Sequence, residues 1–237
     1  MRLRGENGIT GSRRPVLTVA ATAVAVVAGL VQYAVPAVVP VLERAPDAPQ
    51  EWWRWMTSLL VQTLGVHQML GNLVTLALVG FIAERLLGRA RWVLLFVAGT
   101  AGGQVAAFVQ GEPGGGSSIA ICGLAGGVLV ALLADTGPVP RLPAQVVSFY
   151  VVALTGWGLG GFRGVGLAVL LATVGLLAVR LTGRFDADRV GLWGAVVCTG
   201  VLAAVGDLHG VSLASGAAVM VLTRMIELRQ RARRISG

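Results

Sequence analysis

Charge is scarce in this chain. Only 13% of its 237 residues are charged, while 55% are hydrophobic. Ordinary soluble domains carry roughly 25% charged residues. With a mean hydropathy of +0.78, this excludes a soluble protein, including one tethered by a single anchor. Lysine is absent, and all 19 basic residues are arginine. In a soluble protein the net charge of +8 would suggest nucleic acid. Here the arginines fall between apolar runs, so no nucleic-acid partner is expected. Cysteine is nearly absent too: Cys122 and Cys198 lie within apolar runs and read as buried small side chains. Neither a disulfide nor a metal is signalled, and no cofactor is expected. Acidic residues are missing at mid-span depth and no internal repeat stands out, which argues against a transporter or channel.

What is present is a series of apolar runs near the roughly 20 residues that cross a bilayer. Eight spans are predicted, at 16–42, 58–83, 92–110, 117–134, 144–160, 164–180, 190–206 and 208–226. Residues 1–15 read as a cytoplasmic tail, 16–228 as the transmembrane domain, and 229–237 as a basic cytoplasmic tail. The first run reads as a spanning helix rather than a cleaved signal peptide. With the N-terminus in the cytoplasm, only Arg44, Arg54 and Arg163 of the 19 arginines fall outside. This positive-inside bias supports an even number of spans with both ends inside.

Ser118 and His209 then begin helices that both run from the outer to the inner face. An ionisable group inside a membrane segment is a functional candidate by default, and a serine beside a histidine can be a nucleophile with its base. Gly123 and Gly127, and Ser212 and Gly216, are spaced four apart. Such spacing allows close helix approach and could bring Ser118 to His209. The second span opens with three polar side chains, His67, Gln68 and Asn72. Gln68 and Asn72, four apart, share a helix face. Their amides could donate to an oxyanion or clamp neighbouring helices. Asp207 is read as a solvated loop residue, since positions two apart on a helix do not face each other. Glu84 is read as structural, paired with Arg85 or Arg89. Trp52, Trp53 and Trp55 read as interfacial anchors. The Arg224–Arg234 cluster reads as a positive-inside stop.

These residues, in this order, resemble the rhomboid family of intramembrane serine proteases. The elements are Trp53-Arg54 in the first outer loop, the polar start of the second span, and Gly80-x-x-x-Glu84 with Gly88 at its end. Gly116-Ser117-Ser118 and His209 with Gly216 complete the set. The resemblance implies an all-α polytopic membrane protein: a rhomboid-like bundle of about eight transmembrane helices, a six-helix core plus an inserted hairpin. Three departures stand out. Ile119 replaces the family's glycine after the serine and is expected to crowd the substrate or the oxyanion donors. Gln68 lies four before Asn72 where the family has histidine, while His67 fits that position by counting from Trp53, so either could serve. Three spans rather than one separate Ser118 from His209.

The resemblance further implies a serine endopeptidase that cuts transmembrane segments of other membrane proteins through a Ser118–His209 dyad. The Ser118 N–H, Asn72, and Gln68 or His67 would hold the oxyanion. The alternative is a catalytically inactive relative that binds transmembrane helices without cutting them. The expected partners are transmembrane protein substrates and the bilayer itself. The expected location is a bacterial plasma membrane, multi-pass, with both termini cytoplasmic.

Overall fold

The computed structural model describes residues 14–236. Among them are nine α-helices: α1 (Val16–Ala34), the short α2 (Val39–Leu42) and α3 (Arg54–Thr57), α4 (Val66–Leu87), α5 (Arg89–Val109), α6 (Ser118–Leu133), α7 (Arg141–Thr182), α8 (Ala187–Ala204) and α9 (Leu208–Ser236). Most of the predicted tail at 1–15 lies outside the described residues. At the other end α9 runs without a break through the basic segment 229–236.

Six of these helices are long and apolar enough to cross a membrane. One of them, α7, has 42 residues. Straight, it would be about 63 Å long, twice the roughly 30 Å hydrocarbon core. Instead the backbone leaves helical geometry at Gly160 and Gly161, where Gly161 adopts φ 57° and ψ −143°. Only glycine occupies that region readily. The chain folds back there, so that an added Cβ at Gly156 would sit 2.5 Å from the Gly164 carbonyl oxygen. With α7 counted as two arms, and with the 16-residue α6 included, the described residues form eight apolar helical passes.

The centre of the bundle is α6, buried along almost its whole length. It is sandwiched between α5 and α9, and its small residues permit this. An added Cβ at Gly99 would sit 2.5 Å from the Gly123 Cα, and one at Gly216 would overlap the Gly123 carbonyl oxygen. One at Gly126 would overlap the Leu213 carbonyl oxygen. Without a hydrophobic drive between helices in lipid, such close backbone approach is what holds them together. Larger side chains fill the remaining core, among them Leu76, Val79, Leu95, Ile121, Leu124 and Leu213. The first arm of α7 contributes Ala144, Val147, Tyr150 and Val151, whereas the second arm buries nothing. The second arm is therefore peripheral.

Glu84 does more than pair with an arginine. It accepts hydrogen bonds from the backbone N–H groups of Leu17 (3.1 Å) and Thr18 (2.8 Å) and from the Thr18 hydroxyl (2.9 Å). Arg89 Nε lies 3.5 Å away. α1 begins after Pro15, which has no side-chain cap to offer. A buried carboxylate on α4 thus satisfies the free N–H groups of a different helix.

Candidate active site

α6 has 16 residues and is about 24 Å long, short of the bilayer core. At least one of its ends therefore falls short of a membrane surface, and at the end that bears Ser118 a glycine-rich loop leads into the bundle. That loop is held by its glycines and by the first outer loop. Arg44 and Gly114 exchange two backbone hydrogen bonds (2.8 and 3.2 Å), and the Gly116 N–H donates to the Ser58 carbonyl (2.8 Å). Arg44 is buried at 7% exposure. Its Nε donates to the Glu112 carbonyl (2.8 Å) and its guanidinium to Gln104 Oε1 (3.1 Å). Burial pulls the Arg44 guanidinium below its ordinary value, against the opposing charge of Glu112. Gln104 in turn donates to the Ser58 hydroxyl (2.8 Å). Arg44, Ser58 and Gln104 form a polar clamp that sequence reading did not single out. Its only signal was Gln104, a polar side chain within an otherwise apolar run.

Ser118 Oγ lies 3.0 Å from His209 Nε2. The two residues come from α6 and α9, brought together by the glycine seam. The other imidazole nitrogen, Nδ1, lies 3.2 Å from Asp207 Oδ1. A carboxylate only accepts, so Nδ1 carries the ring hydrogen and Nε2 is free to accept from the Ser118 hydroxyl. This corrects the expectation of a solvated Asp207. Asp207 precedes α9 and accepts from the N–H groups of His209 (2.8 Å) and Gly210 (3.3 Å), the pattern of a helix N-cap. A cap lies outside the helical repeat, so the spacing rule for positions two apart does not apply. An aspartate just before an apolar helix was the available signal. Burial pushes its carboxyl up, but the hydrogen bonds from the His209 ring, the ring's charge and the two backbone N–H groups outweigh this. The net effect holds it below the ordinary carboxylate value.

Gln68 and Asn72 share one face of α4, as their spacing predicts. Gln68 donates to the Gly115 carbonyl (2.9 Å) and accepts from the Leu64 N–H (2.9 Å). Asn72 donates to Gln62 Oε1 (2.7 Å). Both amide nitrogens face Gly116: an added Cβ there would sit 2.5 Å from Gln68 Nε2 and 3.3 Å from Asn72 Nδ2. His67 points elsewhere. Its ring packs edge-on against Phe162 (5.1 Å between centroids) and tilts against Trp157 (6.2 Å). All five side chains singled out in the sequence, Ser118, His209, Gln68, Asn72 and His67, line one cavity of about 250 Å³ between α4, α6, the tip of α7 and α9.

Ile119 does not crowd this cavity. It is 2% exposed and turns toward α5, where an added Cβ on Gly103 would fall 2.6 Å from its Cγ2. The side chain gained at position 119 occupies space left free at position 103. Among the described residues there is no cluster of three or more metal-ligating side chains. Cys122 is buried with its thiol 3.5 Å from the Tyr150 hydroxyl, as a small core residue.

The Rhomboid domain model matches residues 49–185, more than half of the chain. The match includes Ser118 and stops short of His209, which reaches the site through the packing of α9. The rhomboid protease GluP of Bacillus subtilis (strain 168) is 30% identical over 117 residues. That stretch is 49% of this chain and 23% of the relative, so less than a quarter of the relative's length is represented. No solved structure gives a significant match. The chain belongs to the rhomboid family of membrane proteins.

Proposed function

We propose that this protein is an intramembrane serine endopeptidase in which Ser118 is the nucleophile and His209 its base. The observation that carries the reading is the 3.0 Å contact between Ser118 Oγ and His209 Nε2, at the edge of a cavity within an otherwise apolar bundle. Nε2 takes the hydroxyl proton as Oγ attacks a peptide carbonyl, then gives it to the leaving amine. Water repeats the sequence to release the acyl group.

Three donors suit the developing oxyanion. The Ser118 N–H, first in α6, has no carbonyl partner within the helix and lies at the positive end of its dipole. Gln68 and Asn72 each have a second amide hydrogen beyond the one engaged with Gly115 or Gln62. His67, packed on Phe162 and Trp157, belongs to the cavity wall and is not assigned an oxyanion role. The substrate class is a transmembrane segment of another protein. A peptide bond within a helix is hydrogen-bonded and shielded, so segments that unwind easily are preferred. The arginine distribution supports a cavity on the outer side with both termini cytoplasmic, and a plasma membrane is the proposed location.

The test is labelling of the detergent-solubilised protein with a serine-directed fluorophosphonate. The wild type is expected to label, with labelling abolished in Ser118→Ala and His209→Ala. In Asn72→Ala the rate is expected to fall about 100-fold, the usual effect of losing one oxyanion donor. A folded wild type that does not label would be a non-catalytic binder of transmembrane helices.

A further inference from the structure

The geometry points to Asp207 as a positioning residue that orients and charges His209, making the site a Ser118–His209–Asp207 triad; the inference rests on the protease reading above. The carboxylate has two jobs on one oxygen. Oδ1 caps α9 through the N–H groups of His209 and Gly210, and the same oxygen lies 3.2 Å from Nδ1 of the His209 ring. Because the cap fixes the carboxylate relative to the backbone of the residue it orients, the ring is held in one tautomer with Nε2 toward Ser118. Asp207 is itself held: its N–H donates to the Leu202 carbonyl (2.9 Å) at the end of α8. Beside it, the Gly206 carbonyl accepts from the side-chain amide of Gln110, the C-cap of α5 (2.6 Å). An added Cβ on Gly158, in the first arm of α7, would lie 3.5 Å from Asp207 Oδ2, so the half-buried aspartate is flanked by this arm and by the ends of α5 and α8.

The proton path balances without protonating Asp207. The Ser118 proton moves to Nε2 as the Oγ–carbon bond forms, and the Nδ1 hydrogen stays on the ring. The imidazolium so produced faces the Asp207 carboxylate. Nε2 then gives its proton to the amine as the carbon–nitrogen bond breaks. The other titratable groups that face this pair are the Ser118 hydroxyl and Cys122 thiol of α6, the Tyr150 hydroxyl of the first arm of α7, and His67 of α4 across the cavity. The C-cap of α5 presents the neutral Gln110, and α8 presents its Leu202 backbone. None of these supplies a negative charge at the pH of the reaction, so Asp207 is the counter-charge to the imidazolium.

The experiment measures fluorophosphonate inactivation of the full chain in detergent, as the maximal rate and the half-saturating probe concentration, across pH. Asp207→Asn keeps a good N-cap and removes only the charge; Asp207→Glu keeps the charge with altered reach. Asp207→Asn is expected to lower the maximal rate by 10-fold or more with little change in half-saturation, and to move the acid limb of the profile to lower pH. Asp207→Glu is expected to recover part of the rate and the wild-type limb. An Asp207→Asn variant that keeps the wild-type rate and acid limb overturns the inference while leaving the protease reading intact. The same follows if both variants lose rate in parallel with melting temperature and without a shifted limb, since Asp207 is then only a cap. If the wild type itself does not label, the protease reading falls and this inference with it.

Discussion

At the level of single residues, the site was legible where a polar group stood alone in apolar sequence. Ser118, His209, Gln68 and Asn72 were all recognisable on that ground, and all line one cavity. What escaped were residues whose role depends on where the chain turns. Asp207 was misread because helical spacing was applied to a residue that caps the helix from outside. Ile119 was misread because its consequence depends on Gly103, sixteen positions earlier on another helix. The structure makes Ile119 a packing residue, and Ile119→Gly is therefore expected to damage stability and not to improve the site. Loss of a buried isoleucine leaves a cavity against Gly103, and glycine weakens the first turn of α6. Together these cost about 3 kcal/mol. An unfolding titration in SDS would show that loss, with the fluorophosphonate rate in mild detergent within about twofold of wild type. A faster rate in Ile119→Gly, at unchanged stability, would instead mean that Ile119 obstructs the site.

At the level of helices, the hydropathy pattern located all the passes, and the errors lie at ends where another principle took over. The first span was read to residue 42, but α1 stops at Ala34 because Pro36 opens a single 3-10 turn and Pro40 follows within α2. The second was read from 58, but Ser58–Gly65 is the loop that holds Gly116, and α4 starts only after Gly65 at φ 86°. It was also ended early, at 83, because Glu84 looks like a membrane boundary. Instead Glu84 is 3% exposed and caps α1. The small-residue spacings proved informative: Gly123 and Gly216, read as seams, are where α6 meets α9. This seam sets the Ser118–His209 distance, so Gly216→Ala should perturb stability and activity together. Its Cβ would overlap the Gly123 carbonyl oxygen, backbone that cannot rotate aside. Overpacking of this kind costs about 1–3 kcal/mol. Gly200→Ala in α8 is the control, since nothing lies within 4 Å of an added Cβ there, and alanine favours a helix by up to about 1 kcal/mol. Melting and labelling should both fall in Gly216→Ala and both hold in Gly200→Ala. Equal behaviour of the two variants would show that the close approach is not what joins Ser118 to His209.

For the whole molecule, the path of the chain and the contact at the site constrain one another. α6 starts at the Ser118 end of the bundle and leaves toward the other face. If α7 were one crossing, α8 would return inward and α9 would begin on the face opposite Ser118. His209, at the second residue of α9, could not then lie 3.0 Å from Ser118 Oγ. The bend at Gly160–Gly161 adds one pass and restores the parity, so the peripheral second arm of α7 is what makes the Ser118–His209 contact topologically possible. Arginine placement fits the same path: Arg141 begins α7, while Arg180 and Arg184 flank its end. Only Arg163 lies beside the tip, so the positive-inside rule predicts that the tip is outside. Alkaline phosphatase, active only outside the cytoplasm, can be fused after Gly137, Gly161 or Gly183. Activity is expected at Gly161 alone, with a C-terminal fluorescent fusion that lights up in the cytoplasm. Silence at all three junctions would mean that the two arms do not cross. The shared side of Ser118 and His209 would then require a different path through α8. Activity at Gly137 and Gly183 but not at Gly161 would invert the arginine argument for this part of the chain while leaving the internal contact untouched.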